Sequence, residues 1–274
     1  MYVSMKGMLG QAMEQGTGVG AFNIHALEVV PAMAAAAAQL NAPVILQVSV
    51  STAKYIGFGL LATVVKAIAD REQVPVALHL DHARELKDIE AALEGGFSSV
   101  MIDGSALVLE ENIELTQQAV KLARAAGASI EAELGIVGRG KTVVQYPYTD
   151  PEDARTFVEQ TGVDALAIGI GTCHGQYRSK TAINFDVLSK IHENVAVPLV
   201  LHGGTGVKEE DLRRLIGMGM HKLNFGTELN VAWVRKAREV FAKAEPDDSL
   251  RDLMIPCTQA MKEAIQNKIH LVSI

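Results

Sequence analysis

Apolar residues along this chain alternate between two periods. Short runs rich in Val, Ile, Leu and Ala predict strands at 19–24, 44–48, 76–80, 98–102, 129–134, 165–170, 198–202 and 222–225. Between them, apolar residues recur at three- and four-residue spacing. This predicts helices at 26–40, 60–71, 85–94, 110–126, 151–160, 185–193, 208–218 and 228–242. Boundary signals agree: Pro151 follows Thr149-Asp150, a helix start, and Gly95-Gly96, Gly127 and Gly217 stand where helices should stop. Strands flanked by helices on this rhythm form parallel sheets buried on both faces, and about eight such units favour closure. The expected architecture is therefore an α/β TIM (β/α)8 barrel. A last helix, 250–266, falls outside the eightfold rhythm and is an extra C-terminal element. No Ser-, Gly- or Pro-rich linker divides the chain, so residues 1–274 are expected to form one domain. An open doubly wound sheet usually carries GxGxxG after its first strand. His25-Ala26-Leu27-Glu28 carries none, and the glycines of 169–175 have the wrong spacing.

Composition narrows the function classes. The longest apolar stretch, 29–40, is shorter than the ~18 residues a membrane span needs and reads as a buried helix. Residues 1–10 lack a basic region, apolar run and cleavage site, so no signal peptide is expected. Cys173 and Cys257 are far apart and suggest no disulfide framework, which suits a reducing cytoplasm. A net charge of −7 argues against a nucleic-acid partner. It leaves anionic small molecules open, because backbone N–H groups bind phosphate on acidic proteins too.

In a barrel the catalytic groups stand at the C-terminal ends of the strands. The third strand ends His79-Leu80-Asp81-His82, the sixth is followed by Gly171-Thr172-Cys173-His174-Gly175, and the seventh ends Leu201-His202-Gly203-Gly204-Thr205-Gly206. One histidine at a strand end is more often a hydrogen-bonded loop residue. Three at matching ends point to a metal, since three protein ligands and an open position make a catalytic site. Asp81 beside His82 either relays a proton or orients a histidine. His25 borders the expected site, His79 packs inside the barrel, and His192, His221 and His270 read as structural. In Glu131-Ala132-Glu133-Leu134 the two glutamates share a face, and Asp103 ends the fourth strand. Buried carboxylates need a cation or hydrogen-bond donors. The three suggest a second metal position, a cation-filled mouth or a structural network. Gly203-Gly204-Thr205-Gly206 and Asn224-Phe225-Gly226-Thr227 follow the seventh and eighth strands, where barrels often build a phosphate site. A metal, a carboxylate and a phosphate cradle on one mouth suit a small phosphorylated carbonyl compound.

Several strings together carry a family resemblance. They are Ala21-Phe22-Asn23-Ile24, His79-Leu80-Asp81-His82, Glu131-Ala132-Glu133-Leu134-Gly135, Gly171 through Gly175, His202-Gly203-Gly204-Thr205-Gly206 and Lys222-Leu223-Asn224. In order and spacing, from the N-terminus to the last helix, the chain resembles the class II ketose-bisphosphate aldolases. The likeness is greater to the tagatose-bisphosphate and short-chain fructose-bisphosphate branch. The resemblance implies a lyase that reversibly cleaves a ketose phosphate or bisphosphate to dihydroxyacetone phosphate and an aldehyde. It implies one Zn2+ per subunit on His82, His174 and His202, with Glu133 as ligand in an alternative buried position. Asp81 would take the C4 hydroxyl proton as the C3–C4 bond breaks, with Asn224 assisting. Gly175, Gly203, Gly204, Thr205, Asn224, Phe225, Gly226 and Thr227 would hold dihydroxyacetone phosphate, with a monovalent cation, Na+ or K+, nearby. Arg251 partly matches an arginine that reaches a neighbouring subunit's site to bind the distal phosphate, so a homodimer or homotetramer is expected.

The chain departs from the family in three places. The family's long loop after Glu133-Leu134-Gly135 bears acidic residues, one of which moves the C3 proton. Here 136–142 is shorter and basic and has no glutamate, which suggests that Arg139 or Lys141 meets an anionic group. The family's Pro after His174-Gly175 is absent from Tyr177-Arg178-Ser179-Lys180-Thr181, and Ser249-Leu250 replaces an Asp-Pro before Arg251. Two other readings stand beside the zinc aldolase: a Schiff-base aldolase using Lys222, and a non-catalytic phosphosugar-binding homologue.

Overall fold

The computed structural model describes residues 1–139, 147–175 and 183–273, the side chain of Arg139 excepted. Its strands are β1 (Val19–Asn23), β2 (Val44–Ser49), β3 (Val76–Ala83), β4 (Ser99–Ile102), β5 (Ser129–Leu134), β6 (Gly138–Arg139), β7 (Ala165–Ile168), β8 (Cys173–His174), β9 (Leu199–Leu201) and β10 (Met220–Phe225). Eight of them close a barrel in the order β1-β2-β3-β4-β5-β7-β9-β10, with parallel pairing throughout. The seam pairs Val19 with Lys222 through Phe22 with Phe225. All eight expected strands are therefore present. The other two, β6 and β8, pair with each other outside the barrel, Gly138 opposite Cys173 and Arg139 opposite His174.

Two differences from the expected strands have clear causes. β7 stops at Ile168 because the backbone of Gly169 turns away from the ladder: its N–H donates to Thr149 Oγ1 (2.8 Å) and its carbonyl accepts from Thr149 N (2.9 Å). β3 runs on to Ala83 and so carries Asp81 and His82 within the strand itself.

The chain buries two apolar regions. The larger lies between the outward strand faces and the surrounding helices. The smaller fills the floor of the barrel, where Val19, Ala21, Ile45, Ala77, Ala165, Ala167 and Val200 meet Met5, Met8, Leu9 and Ala12. Those last four lie on α1 (Met5–Gln15), a helix absent from the expected set. Their spacing puts them on one face, which seals the barrel end, and Gly16 stops the helix in a left-handed conformation (φ 66°). A second unexpected helix, Val50–Ile56, starts directly after β2, with Ser49 Oγ accepting from Thr52 N at 3.3 Å. The C-terminal helix spans Leu250–Val272, longer than expected. Among the described residues no single helix is long and apolar enough to cross a membrane.

Candidate metal centre and active site

Inward positions of the barrel turn from apolar to polar along the strands. Ala77, His79 and Asp81 of β3 share the inward face, as do Glu131 and Glu133 of β5 and Lys222 and Asn224 of β10. The middle layer is wholly buried. There His79 Nδ1 lies 2.7 Å from Ser99 Oγ, Lys222 Nζ lies 2.9 Å from Glu131 Oε2, and His202 Nε2 lies 2.9 Å from Glu131 Oε1. Burial lowers the pKa of His79 to about 3, so its imidazole is neutral. Burial pushes the Glu131 carboxyl up, but Lys222 and His202 outweigh it and hold the group well below the usual range. Lys222 is thus wholly buried, paired with Glu131 and absent from the lining of the mouth. A Schiff-base lysine must be reachable by the substrate carbonyl, so the Schiff-base reading is corrected.

The next layer builds the site. Successive strand residues face opposite ways, so Asp81 and His82 should not both reach the mouth. β3 escapes this rule by bulging: its register with β4 shifts between Leu80 and Ala83, and His82 takes a left-handed conformation (φ 53°). Such a conformation costs roughly 1–2 kcal/mol in a non-glycine residue. His174 comes from β8, which pairing with β6 places over the barrel end, and His202 directly follows β9. Ring centroids are separated by 4.6 Å (His82–His202), 5.2 Å (His82–His174) and 5.7 Å (His174–His202). One nitrogen of each ring lies within 4.8 Å of those of the other two. The three predicted ligands converge.

Their hydrogen bonds favour a metal between them. His82 Nδ1 is 3.0 Å from Asp103 Oδ2, which leaves Nε2 as the lone-pair nitrogen, and this atom is buried without a hydrogen-bond partner. His202 gives Nε2 to Glu131 and leaves Nδ1 buried without a hydrogen-bond partner. A metal-bound imidazole typically donates its second nitrogen to a carboxylate in this way. In the metal-free site burial lowers the His202 pKa, but Glu131 and Glu133 raise it to about 10. The residues present therefore fit a divalent transition-metal ion. Glu133 Oε2 lies 3.2 Å from His202 Nδ1 and 3.7 Å from His82 Nδ1, and His82, Asp103 and Glu133 form a second group with ligand spacing.

Above the rings opens a pocket of ≈ 630 Å³. Of the predicted residues, Asp81, His82, His174, Gly175, Gly203, Thr205, Asn224, Gly226 and Thr227 line it. Burial raises the Asp81 carboxyl, but His82, His202, Lys222 and His79 together bring it down to about 2, so it is ionised. Both polar atoms of the Asn224 side chain are buried without hydrogen-bond partners. Gly203 is left-handed (φ 72°), and a Cβ there would collide with the Cys173 carbonyl. Gly226 precedes the helix Thr227–Phe241, whose N-terminus opens at the pocket and presents N–H groups to an anion.

Other predicted residues lie elsewhere. Gly204 does not line the pocket: its N–H donates to the Asn224 carbonyl at 3.1 Å, tying the two glycine-rich loops together. Phe225 faces away from Asn224 by strand alternation and stacks on Phe22 with centroids 5.9 Å apart, so it is a core residue and not a ligand for substrate. Arg251 is exposed on the C-terminal helix, paired with its own neighbour Asp252, and does not line this pocket. Lys141 and residues 177–181 lie outside the described residues. His25 borders the pocket as expected, whereas Asn23, Gln47, Ser49, Ser51 and Asn230 were not anticipated. Gln47 Nε2 donates to Asn23 Oδ1 at 3.0 Å. Their signal was the one used for the third strand, polar residues at the ends of β1 and β2.

Comparison with known proteins follows the same line. The profile of the family described as fructose-bisphosphate aldolase class-II matches residues 3–274. A fructose-bisphosphate aldolase of Geobacillus stearothermophilus is 40% identical over 277 residues, covering 98% of this chain and 96% of the relative. The D-tagatose-1,6-bisphosphate aldolase subunit GatY of Klebsiella oxytoca is 39% identical over 274 residues, with the same coverage of 98% and 96%. Among solved structures, the YdjI aldolase from Escherichia coli K12 superposes with a TM-score of 0.89 at 33% identity, covering 99% of this chain and 97% of that one. A TIM barrel whose mouth gathers three imidazoles, a carboxylate and two glycine-rich loops, and whose whole length matches these relatives, belongs to the class II fructose-bisphosphate aldolase family.

Proposed function

We propose that this chain reversibly cleaves a ketose phosphate, of the fructose- or tagatose-1,6-bisphosphate type or a related ketose 1-phosphate, to dihydroxyacetone phosphate and an aldehyde. The observation that carries this reading is the convergence of His82, His174 and His202 beside the ionised Asp81. Relatives that bear the names of both activities support the substrate class. His82, His174 and His202 would hold zinc, for which three neutral nitrogen ligands and an open side are suited. When bound, zinc supplies Lewis-acid polarisation of the substrate carbonyl oxygen.

The chain's own groups do the rest. The N–H groups of Thr205 and of the Gly226–Thr227 segment bind the phosphate and set the position of the sugar, with Gly203 lining the same wall. A monovalent cation, Na+ or K+, beside this phosphate would offset its charge. Asp81 accepts the C4 hydroxyl proton as the C3–C4 bond breaks, because it is a buried carboxylate with Oδ1 free of other hydrogen bonds. The Asn224 amide, likewise unpartnered, donates to the oxygen that gains charge on the three-carbon fragment. Asp103 and Glu131 keep two of the ligand rings oriented. These groups account for substrate positioning, deprotonation at C4 and the charge left on the three-carbon fragment, which favours an active enzyme over a non-catalytic homologue; the proton that C3 then takes up has no assigned donor among the described residues.

Exposed Val234, Phe241, Leu250 and Ile255 on the last two helices support a homodimer or homotetramer. The free thiol of Cys257 suits a cytoplasmic location. The test is an assay of ketose 1-phosphates and 1,6-bisphosphates. Cleavage of at least one, lost with a chelator and regained with zinc, is expected. Full activity in chelator would sink the metal mechanism, and no cleavage of any would sink the substrate class.

A further inference from the structure

The mechanism above uses Glu131 to orient His202 but leaves its buried partner, Lys222, without a role. Glu131 and Lys222 project from β5 and β10, strands that do not pair with each other, and meet across the barrel interior. Neither side chain has any solvent exposure, and neither lines the pocket. The two oxygens of Glu131 are divided. Oε2 forms an ion pair with Lys222 Nζ at 2.9 Å, without hydrogen-bond geometry, and faces His79 Nε2 at 3.6 Å, while Oε1 is hydrogen-bonded to His202 Nε2 at 2.9 Å. His79 is anchored in turn to Ser99 at 2.7 Å.

We infer that Glu131 and Lys222 are a positioning pair that locks the His202 imidazole with Nδ1 towards the metal. This rests on the metal-centre reading above and extends it one shell inward. A buried ion pair is weak evidence of stabilisation, because well-packed apolar residues of similar volume are often as stable or more so. The barrel floor shows that this interior accepts an apolar layer, for Ala77 and Ala165 there pack against α1. What an apolar layer cannot do is accept a hydrogen bond from His202. Glu131 alone could, but a lone carboxylate in this interior would be desolvated without compensation. Lys222 supplies that compensation by its charge and draws Oε2 to its side of the carboxylate, which leaves Oε1 to hold the ring. Lys222 thus acts through Glu131, and Glu131 through His202; neither touches substrate.

The test uses the full-length protein stripped of metal and titrated with Co2+, whose visible absorption reports ligand geometry, with chelator competition for affinity. Loss of such a supporting partner typically weakens metal binding about 10–100-fold. Lys222→Met and Glu131→Gln are each expected to weaken Co2+ binding in that range and to change the absorption envelope. The double variant E131Q/K222M should recover part of the affinity, because a neutral Gln can accept from His202 once the ammonium is gone. Where a single variant does not fold, Glu131→Asp, which keeps the charge but shortens the reach, is expected to weaken binding at least tenfold. Wild-type affinity and an unchanged spectrum in the folded variants, Glu131→Asp included, would overturn the inference while leaving the metal centre standing. Failure of the wild type to bind Co2+ one-to-one would overturn both.

Discussion

The two ends of this barrel are built from the same strands to opposite rules. At the floor, inward residues are small or apolar, α1 closes the opening, and the polar groups are paired: Asp164 holds Arg124 through two bonds of 2.8 Å and Lys6 at 3.0 Å. At the mouth, Asp81, His82 and Asn224 carry buried polar atoms with no hydrogen-bond partner among the described residues. Unsatisfied buried polar atoms cost about 1–3 kcal/mol each, so a sequence selected only for stability would not collect them at one end. The floor accounts for why the barrel stays closed. The mouth accounts for what it is for.

This contrast is best broken by crossed substitutions. Asp81→Ala should lower kcat about 10²–10⁴-fold, the usual contribution of a positioned acid or base, with phosphate binding and melting temperature nearly retained. Steady-state kinetics and calorimetry check it; a melting temperature that falls in step with kcat would contradict it. Met5→Ala should do the reverse. Met5 is fully buried in the floor, and a cavity there should cost about 2–5 kcal/mol in chemical unfolding, with KM unchanged.

Acid should reach the polar middle layer and the floor at different pH. His79 has its pKa depressed by burial from 6.5 to about 3, so the unfolded chain binds a proton that the folded chain refuses. Its contribution is complete above about pH 6.5 and is lost as pH falls towards 3. The slope approaches ~1.4 kcal/mol per pH unit in the metal-free protein. At the floor, Asp164 is raised by burial but lowered further by Arg124, Ile130 N–H and Lys6, and its net depression means that stability is lost only below the ordinary carboxylate pKa of 3.8. Unfolding free energies of the metal-free protein should therefore fall in two stages as pH drops from 6.5 to 3, and His79→Gln should flatten the first. A single fall beginning below pH 4 in the parent protein would show that His79 titrates normally.

The smallest effect is expected at Arg251. It is exposed and paired only to Asp252, so Arg251→Ala should change stability by less than about 0.5 kcal/mol. If it serves a neighbouring subunit, KM for a bisphosphate should rise while KM for a 1-phosphate stays constant. Equal KM changes for both substrates would remove Arg251 from distal phosphate binding.

The sequence carried the rhythm of the barrel and the convergence of the histidines, because strand ends in a closed parallel barrel are neighbours whatever lies between them. It carried less where a single residue departs from its element. His82 reaches the mouth beside Asp81 only through a positive φ and a register slip, and no residue type marks that bulge in advance. Phe225 looked like part of a phosphate loop because of its glycine neighbour, yet strand alternation sends it to the core. The floor helix was legible in Met5, Met8, Leu9 and Ala12, although Gly7 and Gly10 dilute its pattern. The ties from Glu131 to His202 and Lys222 join residues 71 and 91 positions apart and had no local signature.

The most direct test of the account is to load the stripped protein with zinc and record zinc-edge X-ray absorption. We expect one zinc per chain with a first coordination shell containing three imidazole nitrogens, and loss of that signature in His82→Ala, His174→Ala and His202→Ala. A folded wild-type protein that binds no zinc, or binds it with the same spectrum after any of these substitutions, would contradict the account.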